Sequence, residues 1–303
     1  MNTQPDPNSP FKSSVKSLVD RAAELMGTDP EGGSQLAWDA LREAKTVDCL
    51  PEAIEAWRLL GFAKIAKADY EGALELFLDA SEDLAARFGV ERKPAAILNG
   101  IGSAYHHLGF YSTAISYLEE AKSCLEPNAT PRSRSSTLNN LGLVYYLFGN
   151  LDAARAELTL ALAESEAGGC EECSLSVRGN LAALMQAQGY HDEALAEFDK
   201  ILTAAQARSA SSIVATALTG MAQCLAHRGD FNGALARCER AISLYKGMGA
   251  DRDLAEALRV NAEIQLKAGS PEQAYEIARV AMASPGADRK STRLNSSHRL
   301  RSR

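Results

Sequence analysis

Apolar residues along this chain recur at spacings of three and four with polar residues between them, which is the period of an amphipathic helix. Leu138, Leu141, Tyr145 and Phe148 form one such stripe, and Leu151, Ala154, Leu158, Ala161 and Leu162 form the next, with Gly149 between them. The pattern predicts helix, tight turn, helix. Gly supplies the left-handed residue that stops a first helix. Ser270-Pro271-Glu272-Gln273 offers an N-cap, a proline at the first helical position and a glutamine placed to close a capping box. The unit then repeats: Gly109, Gly149, Gly189, Gly229 and Gly269 fall 40 residues apart, and Ala114, Ala154, Ala194, Ala234 and Ala274 follow each by five. Ala73 and Ala80 precede Ala114 and Ala121 by 41, so one more unit stands upstream with a single-residue slip. A small side chain after each turn lets two helices joined by so short a connection approach closely.

Residues 12 to 50 predict a further, degenerate pair. Val15, Leu18, Val19, Ala22, Leu25 and Met26 give one apolar face, Asp29-Pro30 a break, and Leu36, Ala37, Ala40, Leu41 and Ala44 a second face. Such a pair serves as the N-terminal cap of a repeat array. Residues 1 to 11, rich in Pro, Asn and Ser, predict a disordered leader.

Trp57-Arg58-Leu59-Leu60-Gly61, Tyr70, Ala73, Phe77 and Ala80 resemble the signature of the tetratricopeptide repeat (TPR) family nearly residue for residue. Leu98, Ile101-Gly102, Tyr105, Gly109, Tyr111, Ala114 and Ala121 match it again, as do Leu138, Leu141-Gly142, Tyr145, Gly149, Ala154 and Ala161. Later units drift, with Ala182, Ala222 and Ala262 where the pattern has Gly, and Ile201 and Cys238 in place of expected residues. The period exceeds the usual ~34 residues, similar to the long-helix variant of bacterial regulatory proteins and motor light chains. The resemblance implies an all-α, TPR-type α-solenoid of antiparallel helix pairs forming a right-handed superhelix, with six repeats over residues 51–286.

In that family the first helices line a concave groove that holds a peptide or a partner segment. Carrying the pattern over places Asn99, His106, Asn139, Asn140, Tyr146, Asn180, Gln186, Gln223, His227 and Arg259 there as candidate partner-binding residues, with Ser103, His107, Glu263 and Lys267 among their neighbours. An asparagine amide pairs with a peptide backbone through both its donor and its acceptor. The alternative for Asn140 and Asn180 is that they cap or brace neighbouring helices.

Composition narrows the classes. The chain has 303 residues, 32 Lys+Arg against 39 Asp+Glu, and 46% hydrophobic residues, values of a folded globular protein rather than a disordered one. After Pro285-Gly286 the chain turns abruptly basic, and Asp288 to His298 resemble the codon-for-codon translation of a short-read sequencing adapter. Residues 287–303 are therefore expected to be non-native, and the native chain to continue past Gly286. Without that tail the balance is 26 basic against 38 acidic residues, a net charge of −12 instead of −7. So acidic a segment is a poor binder of nucleic acid. No apolar run is long enough to span a bilayer and the N-terminus has no signal-peptide core, so the expectation is a cytoplasmic protein without membrane contact.

Catalytic patterns are weak. Cys170-Glu171-Glu172-Cys173 has the spacing of a redox pair or half a zinc site, but no second ligand pair accompanies it. The flanking glutamates oppose thiolate formation, so the two read as cysteines of an inter-repeat loop, open to adventitious oxidation. Cys224 and Cys238 read as small core residues. His106 and His107 project about 100° apart on a helix and share a metal poorly. No phosphate-binding loop, dinucleotide fingerprint or nucleophile elbow is present. The expectation is a scaffold without enzyme activity, metal or cofactor. The rival is the N-terminal sensory region of a bacterial signalling protein whose effector domain follows: a diguanylate cyclase, a histidine kinase or a DNA-binding regulator.

Overall fold

A computed structural model describes residues 10–125 and 129–283. The basic tail and residues 1–9 of the expected leader lie outside them. Among the described residues there are fourteen helices and no strand. They are α1 (Pro10–Leu25), α2 (Pro30–Thr46), α3 (Leu50–Ala66), α4 (Tyr70–Phe88), α5 (Ala95–His107), α6 (Tyr111–Ser123) and α7 (Pro131–Phe148). There follow α8 (Leu151–Ala167), α9 (Glu171–Ala187), α10 (His191–Ala207), α11 (Ser211–His227), α12 (Phe231–Met248), α13 (Asp251–Lys267) and α14 (Pro271–Ala283). Most consecutive helices are joined by turns of two to four residues, the architecture of an α-solenoid. The first helix begins at Pro10, two residues inside the stretch expected to be leader.

The boundaries follow from local chemistry. Asp29, Asp69, Thr130, Asn150 and Asp230 each accept a backbone N–H three residues on and so cap α2, α4, α7, α8 and α12. The glycines spaced by 40 all adopt the left-handed conformation, from φ 78° at Gly109 to φ 92° at Gly149. At the α2–α3, α3–α4 and α10–α11 turns that conformation falls instead on Asp48 (φ 51°), Ala68 (φ 59°) and Ser209 (φ 56°). Those three positions carry a strain that glycine avoids, least at Asp48, whose short polar side chain tolerates the left-handed region best.

The chain divides into two compact units, residues 1–184 and 185–303. In the first, the Phe77 ring fills the space that two glycines leave. A Cβ on Gly61 would stand 2.1 Å from its Cζ, and one on Gly100 2.3 Å. Gly102 and Gly142 make the same room for Leu118 and Leu158. In the second unit Gly220 faces Phe198, while Ala222 packs in one cluster with Cys238, Val260 and Ile264. There the larger Ala222 meets Cys238, smaller than Leu158 and Leu118, which stand two and three repeats earlier.

Candidate functional site

In the first unit, helix α7 carries two adjacent amides that reach in opposite directions. Asn140 Nδ2 donates to Asn99 Oδ1 of α5 at 3.0 Å, and Asn139 Oδ1 accepts from Asn180 Nδ2 of α9 at 2.8 Å. Four of the candidate residues therefore form two bonded pairs that tie three first helices together. Asn99 is nearly enclosed, 4% exposed, whereas Asn139, Asn140 and Asn180 are half-buried and meet solvent. One bond uses only part of an amide's two donors and two lone pairs. The row braces the helices and still presents amide capacity outward.

His106 and Tyr146 lie seven residues after Asn99 and Asn139, two turns along the same helix face. The His106 and His107 rings do not diverge as the helical angle suggests: their centroids are 4.3 Å apart, because His107 turns to stack on Tyr70 at 5.0 Å while His106 leans toward Tyr111. Tyr146 packs partly against the cluster of Leu138, Leu158 and Val177. Beside it, Tyr145 donates its hydroxyl to Glu119, and burial together with that carboxylate pushes the phenol up to about 12.

The second unit holds the rest. Gln186 Nε2 donates to Gln223 Oε1 at 3.3 Å, and these two with His227, Glu263 and Lys267 line a small cleft of about 100 Å³ floored by Ala226, Val260 and Ile264. His227 stacks on His191 at 3.9 Å between ring centroids. Burial, then the His191 and Lys267 charges, hold the His227 imidazole below its ordinary pKa. Arg259 is not part of the cleft lining but bonds to Glu263, which is; hydrogen bonds to Glu256, outweighing partial burial, and the Glu263 carboxylate keep it firmly charged.

Two features go beyond the sequence pattern or correct it. Trp38 is 42% exposed and, with Gln35, Leu41, Arg42 and Lys45, lines a hollow of about 400 Å³ on α2. Its ring meets Trp57 edge-on at 5.8 Å, and the Lys45 ammonium lies 5.0 Å from the Trp57 ring. The periodic reading of α2 counted only its inward stripe. The second feature corrects the loop assignment of Cys170 and Cys173: Cys173 lies in the first turn of α9, Cys170 immediately precedes it, and the two form a disulfide. A residue at the start of a helix keeps its neighbour three positions on within reach, which a loop would not ensure. Cys224 and Cys238 are fully buried, and burial pushes their thiols up to about 11 and about 12. Among the described residues no group of three or more His, Cys, Asp or Glu is placed to hold a metal ion. No described helix is long and apolar enough to cross a membrane.

Residues 93–167 and 172–246 match the tetratricopeptide repeat family, and these two stretches are tetratricopeptide repeats. A search of curated proteins finds no sequence match. Among solved structures, a Rap protein complexed with competence and sporulation factor is similar with a TM-score of 0.72 at 14% identity, covering 94% of this chain and 80% of that one. NprR in complex with its cognate peptide NprX gives 0.64 at 17% identity, over 94% and 81%. A tetratricopeptide repeat protein from Parabacteroides merdae gives 0.54 at 18%, over 93% and 97%. At such identities the likeness is one of fold.

Proposed function

We propose that this tetratricopeptide repeat chain is a non-catalytic scaffold that binds an extended peptide or partner segment on its first-helix faces. The observation that carries the reading is the asparagine row. Asn139 and Asn140 are held in fixed orientation by Asn180 and Asn99, so their remaining donors and acceptors are set before a ligand arrives. Preorganised amides lose little side-chain entropy on binding, and an extended backbone offers the alternating N–H and C=O groups that such amides match. In this reading Asn99 acts through Asn140, and His106 and Tyr146 supply flanking contacts. The Gln186, Gln223, His227 and Arg259 cluster is a second polar contact surface on its own unit. Two of the similar folds were solved with a peptide or factor bound, which supports the ligand class. The protein is read as cytoplasmic, and the acidic segment as having no nucleic-acid or membrane partner.

The test is selection from a library of unstructured peptides displayed on phage, followed by calorimetry of the selected peptides. The expected result is that Asn139→Ala with Asn140→Ala weakens binding about thirtyfold, since two hydrogen bonds of about 1 kcal/mol each are lost, while the chain stays folded. Failure to select any peptide, or affinity unchanged in the double variant, would overturn the reading.

A further inference from the structure

Cys170 and Cys173 are cross-linked across the start of α9. The surrounding geometry is that of a capped helix terminus: the Cys173 N–H points at Cys170 Sγ at 3.3 Å, so the sulfur stands where a capping oxygen normally does. The segment is also fastened to the end of α8. The Cys170 N–H donates to the Ser165 carbonyl at 2.9 Å, and the Ser174 hydroxyl lies 2.9 Å from the Ser165 hydroxyl and 3.1 Å from the Cys170 carbonyl. Both cysteines are partly exposed, unlike the buried Cys49, Cys224 and Cys238.

We propose that Cys170 and Cys173 are a reversible thiol–disulfide site, reduced by a dithiol and re-formed by a disulfide oxidant of the glutathione type. In the reductive step a reductant thiolate attacks Cys173 Sγ, the Cys170–Cys173 bond breaks, and its electron pair leaves on Cys170 Sγ. The second reductant thiol then displaces the mixed disulfide. Two electrons and two protons pass to the protein, which ends with two thiols, and the reductant ends as a disulfide. Cys170 is the leaving sulfur because its thiolate keeps the Cys173 N–H and faces the positive end of α9. Glu171 and Glu172 are exposed, so solvent and salt screen their field at the sulfurs. Their charge slows anionic thiolates without blocking them. The structural consequence is local: the oxidised form locks the first turn of the helix that carries Asn180, and the reduced form releases it.

The test uses the full chain, alkylated under native conditions with iodoacetamide before and after dithiothreitol and mapped by peptide mass. Air-oxidised protein is expected to carry no label at Cys170 or Cys173, with the peptide lighter by two hydrogens. Reduction should expose both to labelling while Cys224 and Cys238 stay unlabelled, and oxidised glutathione should restore the unlabelled form. Hydrogen exchange at the Cys173 and Ser174 amides should rise several-fold on reduction. In Cys170→Ser, where a serine oxygen takes over the cap, exchange there should be insensitive to dithiothreitol. Labelling of both cysteines in oxidised protein, a cross-link to Cys124, the partly exposed free cysteine that follows α6, resistance to dithiothreitol or failure to re-form would each overturn the proposal.

Discussion

Asn140 and Asn99, 41 positions apart in the chain, share a hydrogen bond of 3.0 Å between neighbouring first helices, and one partner is enclosed while the other meets solvent. That asymmetry sets different costs for losing each. Asn140→Ala leaves Asn99 with an unmatched buried acceptor, a penalty of about 1–3 kcal/mol. Asn99→Ala leaves Asn140 free to take a water and adds only a small void. The expected outcome in urea unfolding is a larger loss of stability for Asn140→Ala than for Asn99→Ala. The reverse order would mean that the pair is not the brace described.

The Phe77 wedge makes a packing prediction. Gly100→Ala would drive a methyl into the ring and should destabilise by about 1–3 kcal/mol. Gly179→Ala, on a helix with nothing within 4 Å of the new Cβ, should stabilise by about 0.5–1 kcal/mol through helix propensity alone. Thermal melts of the two variants should shift in opposite directions.

Backbone strain at the left-handed Ala68 and Ser209 is open to relief. Ala68→Gly and Ser209→Gly remove a left-handed penalty of about 1–2 kcal/mol, partly offset by the greater freedom of glycine in the unfolded chain. Each should gain about 0.5–1 kcal/mol in denaturant unfolding. Gly149→Ala, at φ 92°, should lose a comparable amount.

The repeat, the helix pairs and the turn glycines were legible in the sequence because each follows from a local rule of period or backbone conformation. Register also explains where asparagines are tolerated. Position 100 and its equivalents read Gly100, Asn140, Asn180, Gly220, and the matching residues of the preceding second helices read Phe77, Leu118, Leu158, Phe198. Glycine accompanies the aromatic ring, and asparagine the smaller leucine. The pairing of Asn140 with Asn99 was not legible, since period alone leaves both bracing and ligand contact open for the same side chain. The hollow beside Trp38 was missed because an amphipathic stripe identifies the buried face and is silent about an aromatic residue at its edge. The loop reading of Cys170 and Cys173 left oxidation open but not its geometry, because α9 begins at Glu171, between the two.

The stacked histidines give a pH dependence. The His227 imidazole has its pKa below the ordinary 6.5, lowered by burial and by the His191 and Lys267 charges, so the unfolded state binds a proton more readily than the folded state. Stability is then complete above 6.5 and falls as pH drops through 6.5 toward the lowered value. In His227→Gln the decline in urea midpoint between pH 7.5 and pH 5.5 should be shallower than in the wild type. Equal slopes would show that the stack does not hold the ring neutral.

The central claim is that the asparagine row contacts a ligand backbone, and side-chain amide spectra test it most directly. In a ¹⁵N-correlated spectrum titrated with a library-selected peptide, the side-chain amides of Asn139, Asn140 and Asn180 should shift in step with saturation. The Asn150 amide, which caps α8, should stay in place. Shifts confined to second-helix residues, with the three amides unmoved at saturation, would contradict the account.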